Sequence, residues 1–221
     1  MARSHKRSFA VIGLGSFGST VATALAASGD DVLGIDLDEE RAGRYARDLS
    51  QVLILDARDE DALKDAGLAD YDVVVVAIGE DLEASIICTM NLKLVGAKCI
   101  WVKAFSKTHH RILSRIGADR VIQPERDMGL HVAETLHTPF VSDFMSVGNG
   151  FHVVTIVAHD IMAGRSLREL RNLAGDSVQL LEAMRGSQHL SHGKDDVLIE
   201  EEDRLLLLGR SEDLRRFTDM F

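Results

Sequence analysis

The chain has 221 residues, 46% of them hydrophobic, and a formal net charge of −10. That length exceeds one doubly wound domain yet leaves no room for a full-sized catalytic domain beside it, and no apolar run reaches the roughly 18 residues that cross a bilayer. The acidic balance opposes binding to a phosphate backbone, so no nucleic-acid partner is expected.

The basic start MARSHKR runs into an apolar segment that Gly13, Gly15 and Gly18 break at once, so export is not expected. From Ser8 to Asp36 an apolar strand (FAVIGLG), a helix (SFGSTVATALAASG) and a second apolar run ending in an acid (DDVLGID) make a β-α-β unit. A helix DEERAGRYARDL, a short strand VLIL, a helix from Asp59 to Ala66 and a strand from Asp72 to Ala77 repeat that grammar. VVVVA is continuously apolar, as a strand buried on both faces should be. A helix from Leu82 to Val95, a strand CIWV from Cys99, a helix from Lys107 to Ile116 and a strand DRVIQ complete six strands alternating with helices. The expected fold class is α/β, a Rossmann-like doubly wound parallel sheet.

Pro124 then opens a helix that passes Met128, reaches Leu136 and stops at His137, Thr138 and Pro139. Both prolines of the chain bracket this helix, so Pro139 to Asp143 is the expected hinge, dividing residues 1–139 from 140–221. Beyond it FHVVTIVA, VQLLEAM and DRLLLLG read as strands of a small mixed sheet, with helices from Ser166 to Asn172 and from Ser211 to Met220. That is a small α+β C-terminal domain. Cys88 and Cys99 have no ligand-like spacing and read as reduced structural thiols.

Gly13-Leu14-Gly15-Ser16-Phe17-Gly18 is a GxGxxG placed after a strand and at the opening of a helix. Gly13 permits the tight turn, Gly15 lets the backbone approach a pyrophosphate, and Gly18 lets helix and strand pack closely, while the helix N-terminus attracts phosphate. Asp36 closes the second strand 18 residues after Gly18, where a carboxylate accepts from an adenosine ribose diol and repels a 2′-phosphate. ATP, ADP, AMP, NAD and NADH all satisfy this pattern. Asp56, ending the third strand, is placed to face the adenine edge or to cap a helix, and Ala77-Ile78-Gly79 ends the fourth strand at the same sheet edge.

FAVIGLGSFG, VVVVAIGEDLEASI, IWVKA and the contiguous Arg115-Ile116-Gly117-Ala118-Asp119-Arg120 leading into Gln123-Pro124-Glu125-Arg126-Asp127-Met128-Gly129 resemble the RCK family over nearly the whole chain. These are the TrkA-like cytosolic regulatory subunits of Ktr and Trk potassium-uptake systems, and the chain resembles their single-unit KtrA/KtrC type. The resemblance implies a homo-oligomer, an octameric ring assembled through Rossmann domains, with the helix after Pro124 as crossover. It also implies a cytoplasmic protein held peripherally at the membrane by a potassium-translocating subunit of KtrB/TrkH type, gating transport with ATP and ADP rather than acting as an enzyme. By the family pattern Gly13, Gly15, Gly18, Asp36, Asp56 and Lys103 line the nucleotide site. Glu125 would place a divalent cation or sodium near the phosphates.

One departure bears on the ligand. Position 16, where the family usually carries an arginine reaching a neighbour's terminal phosphate, is Ser16, which leaves an NAD(H)-binding sensor or an NAD-dependent oxidoreductase as the alternative. The oxidoreductase would need an acid/base constellation that the short C-terminal part does not display. Arg171 stands where family members that bind cyclic di-AMP place a phosphate-binding arginine, although SLRELRNLAGD and His192 depart from that pattern. The nine histidines, His109, His110, His131 and His137 among them, lack metal-ligand spacing and read as solvated or capping.

Overall fold

A computed structural model describes residues 6–79, 81–137, 141–190 and 196–221. The chain divides into two compact units, one ending at Glu125 and one beginning at Arg126. Of the expected hinge from Pro139 to Asp143, Pro139 and Phe140 lie outside the described residues, while Val141 to Asp143 begin a β-strand.

In the first unit β1 (Ser8–Ile12), α1 (Ser16–Ala27), β2 (Asp31–Asp36), α2 (Glu39–Arg44), β3 (Gln51–Ile54), α3 (Glu60–Asp65), β4 (Val73–Val76), α4 (Leu82–Leu94), β5 (Ile100–Lys103), α5 (Lys107–Ile116) and β6 (Arg120–Ile122) follow one another. All six strands are parallel, in the order β3-β2-β1-β4-β5-β6. Ala10, Ile12, Leu33, Ile35, Val74 and Val76 pack in one apolar cluster, and their neighbours Phe9, Val11, Val32, Val73 and Val75 pack in another. Successive strand residues point to opposite faces, so both faces are buried and the strands are apolar throughout. The order reverses between β1 and β4, which opens a crevice at the carboxyl ends there.

Helix starts follow side-chain chemistry: Asp38, Asp59, Asp81 and Ser106 each accept a backbone N–H of the first turn of α2, α3, α4 and α5. The second helix is shorter than DEERAGRYARDL suggested. It stops at Arg44, after Gly43, and Tyr45 turns inward to pack on the core.

α6 (Pro124–His137) leads into the second unit, which holds β7 (Val141–Gly148), β8 (Phe151–Val157), α7 (Leu167–Ala174), β9 (Val178–Arg185), β10 (Gln188–His189), β11 (Arg204–Arg210) and α8 (Ser211–Thr218). The sheet order is β10-β9-β11-β8-β7, and every pairing is antiparallel, which corrects the expected mixed sheet. The physical reason is local. Asn149 and Gly150, both at positive φ, close a tight β7–β8 hairpin that a parallel pair cannot form. A capping box at Ser166 and Glu169 starts α7, whose Leu167 and Leu170 enter a single apolar cluster with β8, β9 and β11.

Candidate functional site

The carboxyl ends of β1 to β5 and the start of α6 surround one cleft of about 860 Å³, within the range of small-molecule sites. Its floor is the turn after β1. Gly13 sits at φ 94°, and a Cβ on Gly18 would stand 1.9 Å from the Gly13 carbonyl oxygen, so α1 meets the turn only through glycine. Gly15 differs. Its φ of −66° suits any residue, and a Cβ added there would meet nothing within 4 Å. The protein's own packing gives no reason for that glycine, whereas a group approaching the backbone from the cleft does. No side chain caps α1 and its first turn holds no acid, so its N–H groups and positive dipole end remain available to an anion.

Asp36 is 7% exposed at the end of β2. Its Oδ2 accepts the Leu14 N–H at 2.7 Å and its Oδ1 accepts the Asp38 N–H at 2.9 Å, which ties β2 to the glycine turn. Each oxygen has accepting capacity beyond that one bond, and Asp36 lines the cleft. Arg41 stands 3.9 Å away, too far for a direct hydrogen bond.

Asp56 lies two residues beyond β3, and its carboxylate is already engaged. Arg58 donates from Nε to Oδ1 at 3.0 Å, from a terminal nitrogen to Oδ2 at 2.6 Å, and from its backbone N–H to Oδ1 at 3.0 Å. The side-chain bonds from Arg58, then its backbone N–H, hold the Asp56 carboxyl below its ordinary range. The Arg58 carbonyl accepts from Nδ2 of the nearly buried Asn91 on α4 at 2.8 Å.

On the other side of the turn, Ala77, Ile78 and Gly79 line the cleft beyond β4. Lys103, 13% exposed at the end of β5, pairs with Glu125, and its Nζ stands 5.7 Å from the Phe17 ring centroid. That ammonium would lie 3.1 Å from a Cβ on Gly79, so the glycine makes room for the lysine as well as ending a strand. The Lys103 hydrogen bond outweighs desolvation and lowers the Glu125 carboxyl.

The structure therefore brings Gly13, Gly15, Ser16, Phe17, Asp36, Asp56, Ala77, Ile78, Gly79, Lys103 and Glu125 to one cleft, with Gly18 packed behind its floor. Ser16 is exposed at the first position of α1, and its carbonyl accepts from Thr20 Oγ1 at 2.8 Å. Among the described residues no group of three or more His, Cys, Asp or Glu is arranged to hold a metal ion. Sequence reading missed Asp38, Arg41, Arg58 and Asp81, which also line the cleft. The two arginines reach it on long side chains from outside any motif, so the sequence carries no signal for them beyond neighbouring acids.

His109 corrects the reading of the histidines as solvated or capping. It is 1% exposed, its ring packs at a tilt against Phe105 with centroids 4.9 Å apart, and neither ring nitrogen has a partner among the described residues. Burial lowers its pKa. The cause is its place on the inward face of α5, one turn before Leu113. Arg171 is half-buried on α7, and His192 lies outside the described residues.

The TrkA-N domain model matches residues 9–124 and the TrkA-C domain model residues 151–221. The Ktr system potassium uptake protein C of Bacillus subtilis is 38% identical over 212 residues, 96% of each chain. The Ktr system potassium uptake protein A of Vibrio alginolyticus is 36% identical over 208 residues, 94% of each. In fold the chain is similar to the GsuK channel bound to NAD, with a TM-score of 0.65 and 12% identity. That match covers 97% of this chain and 39% of the channel chain.

Proposed function

The chain belongs to the family of potassium-uptake proteins with TrkA-N and TrkA-C domains, the RCK family, and from that premise we propose that it is the nucleotide-binding regulatory subunit that gates a Ktr/Trk-type potassium transporter. In this reading it is a regulator and not an enzyme. The observation that carries it is the open turn at Gly15 beside the uncapped α1 N-terminus, with buried Asp36 one strand away. Phosphate rests on the helix end and the ribose diol donates to Asp36.

Gating requires a ligand that binds two arrangements of the assembly unequally, since equal affinity shifts nothing. ATP and ADP differ by one phosphate, and the Lys103–Glu125 pair is placed to sense it. A phosphate at Lys103 releases Glu125, which then takes a divalent cation or sodium between charges that would otherwise repel. The assembly is an octameric ring in the cytoplasm, docked on a KtrB/TrkH-like subunit at the membrane. Exposed Leu82, Met90 and Leu94 on α4, and Met128, Val132 and Leu136 on the crossover helix α6, support burial against neighbouring copies. The functional division falls at residues 139 and 140, and Arg171 is the contact that cyclic di-AMP binding would use.

A specific observation favours NAD or NADH as a second reading. The cleft lines up Asp36, Asp38, Asp56, Asp81 and Glu125 against Arg41, Arg58 and Lys103, each of these cations faces a carboxylate within 4 Å, and Ser16 adds no guanidinium. A dinucleotide of low net charge suits such a cleft better than a bare triphosphate. Thermal melting with ATP, ADP, NAD or NADH, with and without Mg²⁺, separates the two. A ligand at about 100 times its Kd adds roughly 2.7 kcal/mol, several degrees in Tm. Unequal stabilisation by ATP and ADP supports the switch, and stabilisation by NAD or NADH alone overturns it in favour of the second reading.

A further inference from the structure

The sheet sets the parts of the cleft in a line. The glycine turn follows β1, Asp36 closes β2 beside it, and Asp56 and Arg58 follow β3 at the sheet edge. A nucleotide with its phosphates on α1 and its ribose on Asp36 runs outward along that line, and its base arrives at the end of β3. There we propose that the flat face of the Arg58 guanidinium is the stacking platform for the base and sets a purine preference, with Asp56 as the positioning residue that holds it. This rests on the nucleotide reading above.

Three observations carry it. First, Arg58 lines the cleft, and its bonds to Asp56 run from Nε and a terminal nitrogen, the edge-on fork of a carboxylate, which occupies neither face of the guanidinium. Second, the residue is fixed from both ends, since Asn91 holds its carbonyl at 2.8 Å while Asp56 holds its head, so little freedom is left to lose on binding. Arg41, with contacts to Asp38 and Asp36 of 3.5 and 3.9 Å, is not held in this way. Third, Arg7, Arg120, Arg165 and Arg210 each lie over an aromatic ring of the chain, whereas no ring among the described residues lies over Arg58. A guanidinium plane is a good partner for a π-face, and a planar base supplies one.

The same geometry changes the part of Asp56. Both its oxygens already accept from Arg58, so an adenine amine reaching for them competes with a charge-assisted fork. Asp56 acts on the base through the arginine.

Calorimetric titration of the full chain with ADP and UDP, which share phosphates and ribose, tests this. Wild type prefers ADP. Arg58→Ala weakens ADP about tenfold, the size of one lost base stack, and removes most of the preference over UDP. Arg58→Lys, which keeps the charge and loses the plane, falls as far. Asp56→Ala weakens ADP in the wild-type background and has no further effect on Arg58→Ala, a coupling that a merely structural role would not produce. Full ADP affinity and preference in Arg58→Lys would show attraction without stacking and overturn the proposal, as would an unaltered Arg58→Ala. A wild-type protein that binds neither overturns the ATP/ADP reading and this proposal with it, and one that also fails to bind NAD overturns the nucleotide reading itself. Arg58 is half-exposed, so its variants keep the wild-type melting point.

Discussion

Among the described residues each unit buries one aspartate, and the two are used in opposite ways. Asp203, 1% exposed in the second unit, takes Arg185 Nε and a terminal nitrogen at 2.8 Å each and the Glu200 N–H at 2.8 Å, closing the turn that precedes β11. Asp36, in the first unit, takes two backbone N–H groups, has its arginine at 3.9 Å, and lines the cleft. A buried carboxylate whose charge is matched inside the fold locks it, while one held in place with capacity to spare is a receptor. The surroundings differ in the same sense: β1 to β6 carry apolar packing on both faces and gather polar groups at one edge, while β7 to β11 gather one apolar cluster.

Breaking the lock has the largest effect. Asp203→Ala takes from Arg185 its buried partner, leaving it Glu200 and the Leu198 carbonyl, strands the Glu200 N–H, and lowers the unfolding free energy by about 3 kcal/mol in chemical denaturation. Asp36→Asn keeps one accepting oxygen but turns its NH2 toward the other backbone N–H, so it costs about 1–2 kcal/mol and shows itself in nucleotide affinity as well. Burial alone would raise the Asp203 carboxyl, but the Arg185 bond and the Glu200 N–H outweigh it and hold it low. Folding therefore keeps the proton off Asp203. Its share of stability is complete above the ordinary carboxylate range and is lost as pH falls through the lowered value.

Gly18→Ala tests the floor of the cleft in the same assay. Its Cβ would fall 1.9 Å from a backbone oxygen and 2.9 Å from Ala77 Cβ, so strand and helix must separate, at about 2–3 kcal/mol.

A smaller effect, of opposite sign, belongs to His109. With both ring nitrogens unmatched among the described residues, His109→Leu stabilises the protein by about 1 kcal/mol at neutral pH. Burial lowers the folded pKa below the unfolded value, so protonation favours the unfolded chain. Wild-type stability is full above about pH 6.5 and falls as pH drops below it, and the leucine variant loses that slope.

Legibility in the sequence follows the same division. The β1-α1-β2 unit is plain because glycine turns, buried parallel strands and Asp36 each leave a residue-level mark. The hairpin strand β7 leaves none: VSDFMSVG mixes polar and apolar residues on an edge strand that is mostly exposed, and only β8 reads as a strand. Arg41 and Arg58 enter the cleft by tertiary placement, and the engagement of Asp56 depends on a partner two residues away that any surface arginine resembles. His109 was hidden because its helix mixes charged and apolar residues, and burial there is decided by packing against α4.

Titration of ADP, ATP and NAD into wild type and Gly15→Ala, beside their melting curves, tests the cleft most directly. The new methyl meets nothing within 4 Å at a φ of −66°, so the variant should melt like wild type while every nucleotide that wild type binds weakens at least tenfold. Equal affinity in the two proteins would contradict the assignment of the α1 turn as the phosphate site.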